Sequence, residues 1–391
     1  MKVFFRRIHL YLSLAAGLVI LIACLTGAIL VFEKEAQMAL NHDRYFVEAG
    51  TQKLPLQKLE GAVKEAYPGS KINGIKVYTD AERSAEVTVS LKKKEEQKAK
   101  AAAPGERAPS YTVFINPYNA QVLDLYTYRE TFFYQVFALH RWLLGGQNSI
   151  GKTIVGVATL IFLFILITGI ILWFPATKRI MMQRLKIKWT AGWKRLNHDF
   201  HIVLGFYSAI FLFIFAFTGL AWSFEWFNKG IYTVTKSPMK APEPPQSTYQ
   251  PDTKKIGFDA ALSAAKSQYP NVEFYNISAP KDSTGIYSIA ALSTNPVHES
   301  ATDAVYVDQF SGNVLGTLPF SERSLGAKVR SSFKPVHTGS IWGTPSKIIA
   351  FITCLLGVTF PITGTIMWIN RIRKKKKVTY VQKEKATVGA V

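Results

Sequence analysis

Four apolar stretches constrain this chain more than any other feature of its sequence. They cover residues 10–32, 150–174, 202–224 and 348–369, and each reaches the roughly 20 apolar residues that a helix needs to cross a bilayer. Four crossings leave both chain termini on the same side. The sequence is only 48% hydrophobic overall, so we predict a mixture of membrane spans and soluble domains.

Lysine and arginine residues cluster beside the ends of the apolar stretches. They precede the first stretch, fill the short loop at 175–199 and follow the fourth stretch in the tail at 371–391. Because short basic segments stay in the cytoplasm, we expect these three there and the long loops at 34–139 and 226–336 outside. Topology and contact with anionic lipid then explain much of the net charge of +21, and nucleic-acid binding is not indicated.

The two halves of the sequence repeat each other. In both halves a histidine, His9 or His201, is followed after 16 residues by Thr-Gly, and a lysine, Lys152 or Lys347, is followed after 15 residues by another Thr-Gly. The first and third spans therefore correspond, as do the second and fourth, which predicts a two-fold internal duplication. The four pairs are Thr26-Gly27, Thr168-Gly169, Thr218-Gly219 and Thr363-Gly364.

Both long loops carry the same succession of elements. A short amphipathic helix stopped by proline is predicted at 54–68 and at 256–270, and alternating strand-like segments follow each one. A strand, turn and strand unit at 113–123 matches one at 305–315. Each loop is thus predicted to be a small α+β domain. A solvated insertion is expected at 92–109, and an extended proline-rich linker at 236–251.

These elements together resemble a known family. A helix, an antiparallel sheet and a hairpin of the type seen at 306–315 look like a PepSY domain, although the first copy departs from the pattern at 116–120. With spans that carry Thr-Gly and terminal histidines, as in Leu139-His140-Arg141-Trp142, the chain resembles the PepSY-associated transmembrane family of iron-regulated bacterial membrane proteins. The resemblance implies similarity to ferric-siderophore reductases, which bind two b haems and pass electrons across the inner membrane.

Four histidines lie at the ends of the apolar spans. His9 and His201 occupy equivalent positions on the cytoplasmic side, and His140 and His337 lie just before the second and fourth spans on the outer side. A two-fold related bundle brings equivalent positions together, so each pair is a candidate to hold one haem iron from both axial sides. For any one of these histidines alone, the more ordinary explanation of its position is an amphipathic ring at the membrane surface.

Three further histidines lie outside this pattern. His198 lies three residues before His201 and is an alternative ligand or a neighbour of the ligand, although the repeat favours His201. His42 and His298 have no span context and are expected at the surface. Aromatic residues near the span ends could line a haem pocket, though an aromatic belt is the more ordinary reading of each; they are Phe4, Phe5, Tyr11, Phe200, Phe206, Tyr207, Phe133, Tyr134, Trp142 and Trp342.

Several kinds of chemistry find no support in the sequence. No Gly-x-Gly-x-x-Gly follows a strand, so NAD(P)H or FAD is not expected to bind this chain, and electrons would come from quinol or a separate cytoplasmic reductant. No hydrolase, metalloprotease or ATPase pattern is present. The two cysteines lie inside spans and no Cys-x-x-Cys-His motif occurs, so any haem would be non-covalent haem b.

The sequence therefore predicts an α-helical membrane bundle of four spans with two small periplasmic α+β PepSY domains, in the bacterial inner membrane. The predicted function is that of a dihaem b electron-transfer protein, an oxidoreductase that reduces a periplasmic acceptor such as a ferric siderophore. The alternatives are a haem-free anchored PepSY module that binds a peptide, protease or metal complex, and a transporter subunit, which the scarcity of charges within the spans disfavours. The predicted division is 1–33 (first span), 34–139 (first PepSY-like domain), 140–174 (second span), 175–199 (basic loop), 200–225 (third span), 226–336 (linker and second PepSY-like domain), 337–370 (fourth span) and 371–391 (basic tail).

Overall fold

A bundle of long apolar helices forms one part of the molecule. The computed structural model describes residues 1–91, 110–249 and 253–388. Within those ranges four helices are long and apolar enough to span a membrane, and they coincide with the four predicted stretches. They are span 1 (Lys2–Val31), span 2 (Ile150–Trp173), span 3 (Trp193–Ser223) and span 4 (Thr344–Lys374), the last being the first part of a helix over Thr344–Val388.

The spans pack as a closed ring of four. Span 1 contacts spans 2 and 4, and span 3 contacts the same two neighbours, so spans 1 and 3 lie diagonally across the bundle. Small residues such as Ala16 and Ala158 are buried where helices approach one another. Three of the four Thr-Gly threonines are also buried, namely Thr26, Thr168 and Thr218.

The segment between spans 1 and 2 forms the first half of a sheet with attached helices. Three helices, α1 (Glu33–Leu40), α2 (His42–Tyr45) and α3 (Leu56–Ala66), precede the strands, and α4 (Phe132–Trp142) leads into span 2. The insertion expected at 92–109 lies outside the described residues. The strands are β1 (Ser70–Tyr78), β2 (Ala85–Leu91), β3 (Tyr111–Ile115) and β4 (Val122–Tyr126), and a 3₁₀ turn follows at Tyr128–Glu130.

The segment between spans 3 and 4 repeats this order. After the basic loop with α5 (Lys178–Arg184) and span 3 come α6 (Glu225–Val234), a linker without helix or strand at 237–249, and α7 (Phe258–Gln268). Helix α8 (Leu325–His337) leads toward span 4. The strands are β5 (Val272–Ser278), β6 (Ile286–Ser293), β7 (Asp303–Asp308) and β8 (Val314–Leu318), and 3₁₀ turns lie at Phe320–Glu322 and Ser340–Trp342.

All eight strands belong to one antiparallel sheet in the order β4-β3-β2-β1-β5-β6-β7-β8. The two halves join where β1 pairs with β5, from Gly74 opposite Ser278 to Tyr78 opposite Phe274. A Cβ atom on Gly74 would lie 2.7 Å from the carbonyl oxygen of Ile277, so this position requires glycine for the strands to approach.

This single sheet differs from the prediction that each long loop forms a separate small α+β domain. Helices α3 and α7 cover one face of the sheet, and residues from both halves, including Leu59, Ile75, Ala261 and Ile277, are fully buried in a single hydrophobic core. The physical reason lies in β1 and β5, because each would be an exposed edge strand in an isolated half, with unpaired backbone groups. Pairing the two edges satisfies those groups.

The bundle consequently has two distinguishable ends. At one end, here called the sheet end, helices α4 and α8 pack against spans 1 and 3 and connect the sheet to spans 2 and 4. At the other end, here called the terminus end, lie the start of span 1 and the basic segment that joins spans 2 and 3.

Candidate functional site

The structure brings the four span-end histidines together in two pairs. The ring centroids of His9 and His201 are 6.5 Å apart at the terminus end, with an angle of 88° between the rings. The ring centroids of His140 and His337 are 6.2 Å apart at the sheet end, with an angle of 65°. Each pair joins one residue from each half of the chain.

Each histidine is held by the threonine of a Thr-Gly pair on a neighbouring span. In every case the imidazole Nδ1 atom approaches the threonine Oγ1 atom. The distances are 3.0 Å for His9 and Thr168, 3.0 Å for His140 and Thr26, 2.8 Å for His201 and Thr363, and 3.1 Å for His337 and Thr218.

Backbone carbonyl groups reinforce three of these contacts. The Nδ1 atoms of His9, His140 and His337 lie 3.1, 3.0 and 2.9 Å from the carbonyl oxygens of Ile165, Ala23 and Phe215, respectively. A carbonyl oxygen can only accept a hydrogen bond, so Nδ1 must carry the proton in these three rings.

The hydroxyl groups lead to the same assignment for His201. Each of the four threonines donates its hydroxyl hydrogen to a carbonyl oxygen one turn earlier in its own helix; for Thr363 the acceptor is Thr359, at 2.9 Å. The Thr363 oxygen is therefore left as an acceptor, and His201 donates to it from Nδ1. The Nε2 atom of each ring keeps its lone pair, and no protein group within the described ranges hydrogen-bonds it. Such an imidazole is prepared to ligate a metal ion.

The glycines of the Thr-Gly pairs make room for the rings. A Cβ atom placed on Gly27, Gly169, Gly219 or Gly364 would lie 3.5, 3.4, 3.2 or 3.3 Å from the Cε1 atom of the histidine that the adjacent threonine holds. At Gly219 and Gly364 this separation is tighter than an ordinary carbon–carbon contact. The Thr-Gly motif thus serves two purposes at once, a hydrogen-bond acceptor and a flat surface for the imidazole.

Local backbone features position the rings. His201 lies in a π-helical turn, Phe200–Leu204, inside span 3, a distortion that is often found at functional sites. At the sheet end, α4 begins at the Thr131 side-chain cap on the Tyr134 amide, and α8 begins at the Ser324 cap on the Ala327 amide. His140 and His337 lie in the last turns of these capped helices.

The surroundings of the sheet-end imidazoles favour the neutral form. Burial lowers the pKa of His140, and burial together with the neighbouring His140 ring lowers the pKa of His337 to about 4. Only an imidazole without the second proton has a lone pair for a metal ion.

The other three histidines lie apart from these pairs. The half-exposed His198 side chain is directed at Asp199, with Nδ1 3.4 Å from Oδ1, whereas His201 meets His9. His42 is exposed, as expected. His298 is buried, contrary to the expectation of a surface residue, because its ring packs edge-on against Phe320 and its Nδ1 accepts a hydrogen bond from the Ser300 amide.

The aromatic surroundings differ from the expected set. Phe4, Tyr11 and Trp342 are exposed on the outside of the protein. The rings closest to the pairs are instead Phe360, whose centroid is 5.8 Å from that of His201, and Trp222, 5.4 Å from His337. Neither was singled out in the sequence, because the face of a uniformly apolar helix that points inward has no polar pattern to mark it.

The sequence places the chain in a family. The sequence model of the PepSY-associated TM region matches residues 6–371, nearly the whole chain. The protein belongs to the PepSY-associated TM region family. It is a membrane protein of that family, and no curated protein matches it.

Proposed function

We propose that this member of the PepSY-associated TM region family is a membrane dihaem b protein that carries electrons from one side of the membrane to the other. The observation that carries the proposal is the presence of two facing histidine pairs, one near each end of the bundle, with all four Nδ1 atoms hydrogen-bonded. His9 and His201 would hold one haem, and His140 and His337 the other.

The separation of the rings fits this assignment. An imidazole nitrogen lies about 2.0–2.1 Å from a transition metal such as zinc, so two imidazoles on opposite sides of one ion have ring centroids on the order of 6 Å apart. The observed separations are 6.5 and 6.2 Å. Among the described residues no group of three or more His, Cys, Asp or Glu side chains is arranged to hold a metal ion. Two imidazoles alone suit an iron whose other ligands come from a porphyrin.

The presence of one pair near each end of the bundle suits transfer across a bilayer. A hydrocarbon core of about 30 Å is too thick for one macrocycle to bridge, so two relay positions are needed. When bound, haem supplies a reversible one-electron couple. The residues of this chain would bind and position the haem: the imidazoles would bind its iron, the Thr-Gly pairs would orient the imidazoles, and the apolar spans would exclude water.

The topology and the electron path complete the proposal. The basic segments at the terminus end would lie in the cytoplasm, with the two PepSY-like halves of the sheet, which we take as an internal duplication, in the periplasm of a bacterial inner membrane. Electrons would enter from quinol or a cytoplasmic reductant and leave to a periplasmic acceptor. The acceptor suggested by the family resemblance is a ferric siderophore, which would release its iron on reduction because siderophores hold ferrous iron far less tightly.

Haem content of the purified chain tests the proposal. We expect a red protein with a Soret band that sharpens and shifts on reduction by dithionite, and two haems per chain. The His140→Ala and His337→Ala variants should each lose roughly half of the haem, and the control His42→Ala, at an exposed position, should lose none. A colourless protein from cells given ample haem precursor would overturn the proposal.

One observation favours a second function, that of a haem-free binding module. A cavity of about 550 Å³ is lined by residues from both halves of the sheet segment, including Lys53, Arg83, Asp259 and Lys266. Its mixed charges suit a peptide or a metal complex. A colourless protein that binds such a ligand would support this function instead.

A further inference from the structure

Two arginines lie beside the sheet-end histidine pair. Arg141 directly follows His140 in α4, and Arg330 precedes His337 by seven residues in α8. Burial and the nearby charge of Arg330 lower the pKa of Arg141, and burial lowers the pKa of Arg330. Both arginines are therefore partly buried, and burying a cation is costly without a compensating anion.

Neither arginine has a carboxylate partner in the part of the chain that the structure describes. The Nε atom of Arg141 is buried with no hydrogen-bond partner, and so is the neighbouring indole Nε1 of Trp142. The Nε atom of Arg330 donates to the neutral amide oxygen of Asn228, at 2.7 Å. Leaving a buried donor unpaired is costly, and more so for a charged group, so native proteins do it rarely.

Several other partly buried cations of this protein have carboxylate partners. The Nζ atom of Lys347 lies 2.6 Å from Glu35 Oε1, and the Nε atom of Arg44 lies 2.6 Å from Asp124 Oδ2. At the terminus end, Arg195 Nε lies 2.7 Å from Asp199 Oδ1. Among the described residues Arg141 and Arg330 have no such carboxylate; the Arg323 guanidinium, whose Nε is also unbonded, at least donates to the Thr302 carbonyl.

Aromatic rings hold both guanidinium groups in place. The guanidinium carbon of Arg141 lies 5.4 Å from the centroid of Trp142, and that of Arg330 lies 5.0 Å from Trp222. Trp222 in turn is 5.4 Å from His337, so Arg330 is connected to the histidine pair through a single ring. Cation–π contacts fix the cations at the edge of the pair without neutralising them.

We infer that Arg141 and Arg330 form a binding site for two carboxylates, and that its ligands are the two propionate groups of the haem held between His140 and His337. The inference rests on the proposed function. Two fixed guanidinium groups match two carboxylates in number and charge, and arginine–carboxylate pairing is the strong, charge-assisted kind. The propionates of this haem would then face the sheet rather than the middle of the bundle.

The pairing has an electrochemical consequence. Cations beside a haem offset the negative charge of its propionates, and unpaired propionates stabilise the ferric over the ferrous state. Loss of either arginine should therefore lower the midpoint potential of the sheet-end haem and leave the other haem unchanged.

The experiment uses the full chain with haem and makes two measurements. The midpoint potentials are determined by redox titration followed by absorption spectroscopy. The rate of haem release is determined from haem transfer to an apo-globin. Arg141→Gln and Arg330→Gln should each lower one of the two midpoint potentials and speed haem release from one site about tenfold, the factor expected when a charged hydrogen bond is lost. Arg141→Lys and Arg330→Lys should restore part of both effects. The control is Arg323→Gln, because Arg323 also lies over an aromatic ring, that of Phe320, but donates to the Thr302 carbonyl in the sheet segment.

The outcomes separate the two proposals. A wild-type protein without haem would overturn the proposed function and this inference with it. A wild-type protein with two haems, whose midpoint potentials and release rates are the same in Arg141→Gln and Arg330→Gln, would overturn this inference alone. So would an equal shift of both midpoint potentials, because that effect would not be local.

Discussion

The imidazole Nδ1 of His9 in span 1 lies 3.0 Å from the hydroxyl oxygen of Thr168 in span 2. The Thr168 hydroxyl donates its own hydrogen to the Phe164 carbonyl, so the contact runs from the ring to the hydroxyl. This hydrogen bond fixes the tautomer and the angle of the ring, and three equivalent bonds do the same for His140, His201 and His337. Hydrogen bonds of this kind usually decide how well a histidine serves as a metal ligand.

We expect the Thr168→Val substitution to weaken haem binding at the terminus end. Valine keeps the shape of the side chain but removes the acceptor, so His9 is left with the Ile165 carbonyl alone. Loss of such a partner typically costs about 10–100-fold in metal affinity. Haem occupancy during dilution, and the midpoint potential of the remaining terminus-end haem, measure the effect.

The matched control is Thr159→Val in the same span. Thr159 also donates to a carbonyl one turn earlier, at 2.7 Å from Val155, but no histidine lies on its oxygen. If Thr159→Val and Thr168→Val changed haem binding equally, general disturbance of the helix would explain the result, and the positioning role of Thr168 would be wrong.

A methyl group on Gly219 should displace the ring of His337. Its Cβ would lie 3.2 Å from the Cε1 atom, whereas a Cβ on Gly205, in the same span, would meet only Phe360 at an ordinary 3.8 Å. Alanine is favoured over glycine in a helix by about 1 kcal/mol, so neither variant should suffer from helix propensity. We expect Gly219→Ala to lose most of the sheet-end haem and Gly205→Ala to retain both haems, as measured by haem stoichiometry. Full retention in Gly219→Ala would show that the clearance is not needed.

The sequence predicted the spans well because an apolar run of bilayer length has few alternatives. It also noted the Thr-Gly pairs as marks of a repeat and of the family resemblance, but it did not connect their threonines with the histidines. Their contacts with the histidines depend on which spans become neighbours, and the apolar pattern of a span does not reveal that. The joining of β1 to β5 was missed for a similar reason, because a strand that pairs with a distant half looks the same as an edge strand in sequence.

The buried His298 should make the stability of the sheet segment depend on pH. Burial lowers its pKa, although the charge of Glu299 opposes this, and its Nδ1 accepts from the Ser300 amide only when unprotonated. The unfolded chain, with a histidine pKa near 6.5, therefore binds more protons than the native state just below that pH. The contribution of neutral His298 to stability is fully present above about pH 6.5, and it should be lost as the pH drops below that value toward the native pKa.

Hydrogen exchange at residues 293–303 measures this effect, at about pH 7.5 and at about pH 5.5, on either side of the usual histidine pKa. The control is His298→Asn, in which an amide oxygen can accept from the Ser300 amide at both pH values. A wild-type segment whose opening free energy is as insensitive to pH as that of His298→Asn would contradict the prediction.

The junction between the two halves of the sheet offers a final test. Asp259, from α7 in the second half, caps α3 in the first half, with its carboxylate oxygens 2.7 and 2.9 Å from the amide nitrogens of Leu56 and Gln57. These amides belong to the first turn of α3, where no carbonyl of the same helix is available to them, and the negative charge also suits the positive end of the helix dipole.

We expect Asp259→Ala to lower the free energy of unfolding of the sheet segment by about 1 kcal/mol, the usual cost of losing an N-cap. The increase in amide exchange should be largest in α3, on the other half of the chain, because that is where the unsatisfied amides lie. Ser267→Ala in the same helix is the control, since the Ser267 hydroxyl bonds only to Ala264 in its own helix. If exchange increased in α7 alone, α3 and α7 would be stabilised independently, and the single core would not unfold as one cooperative unit.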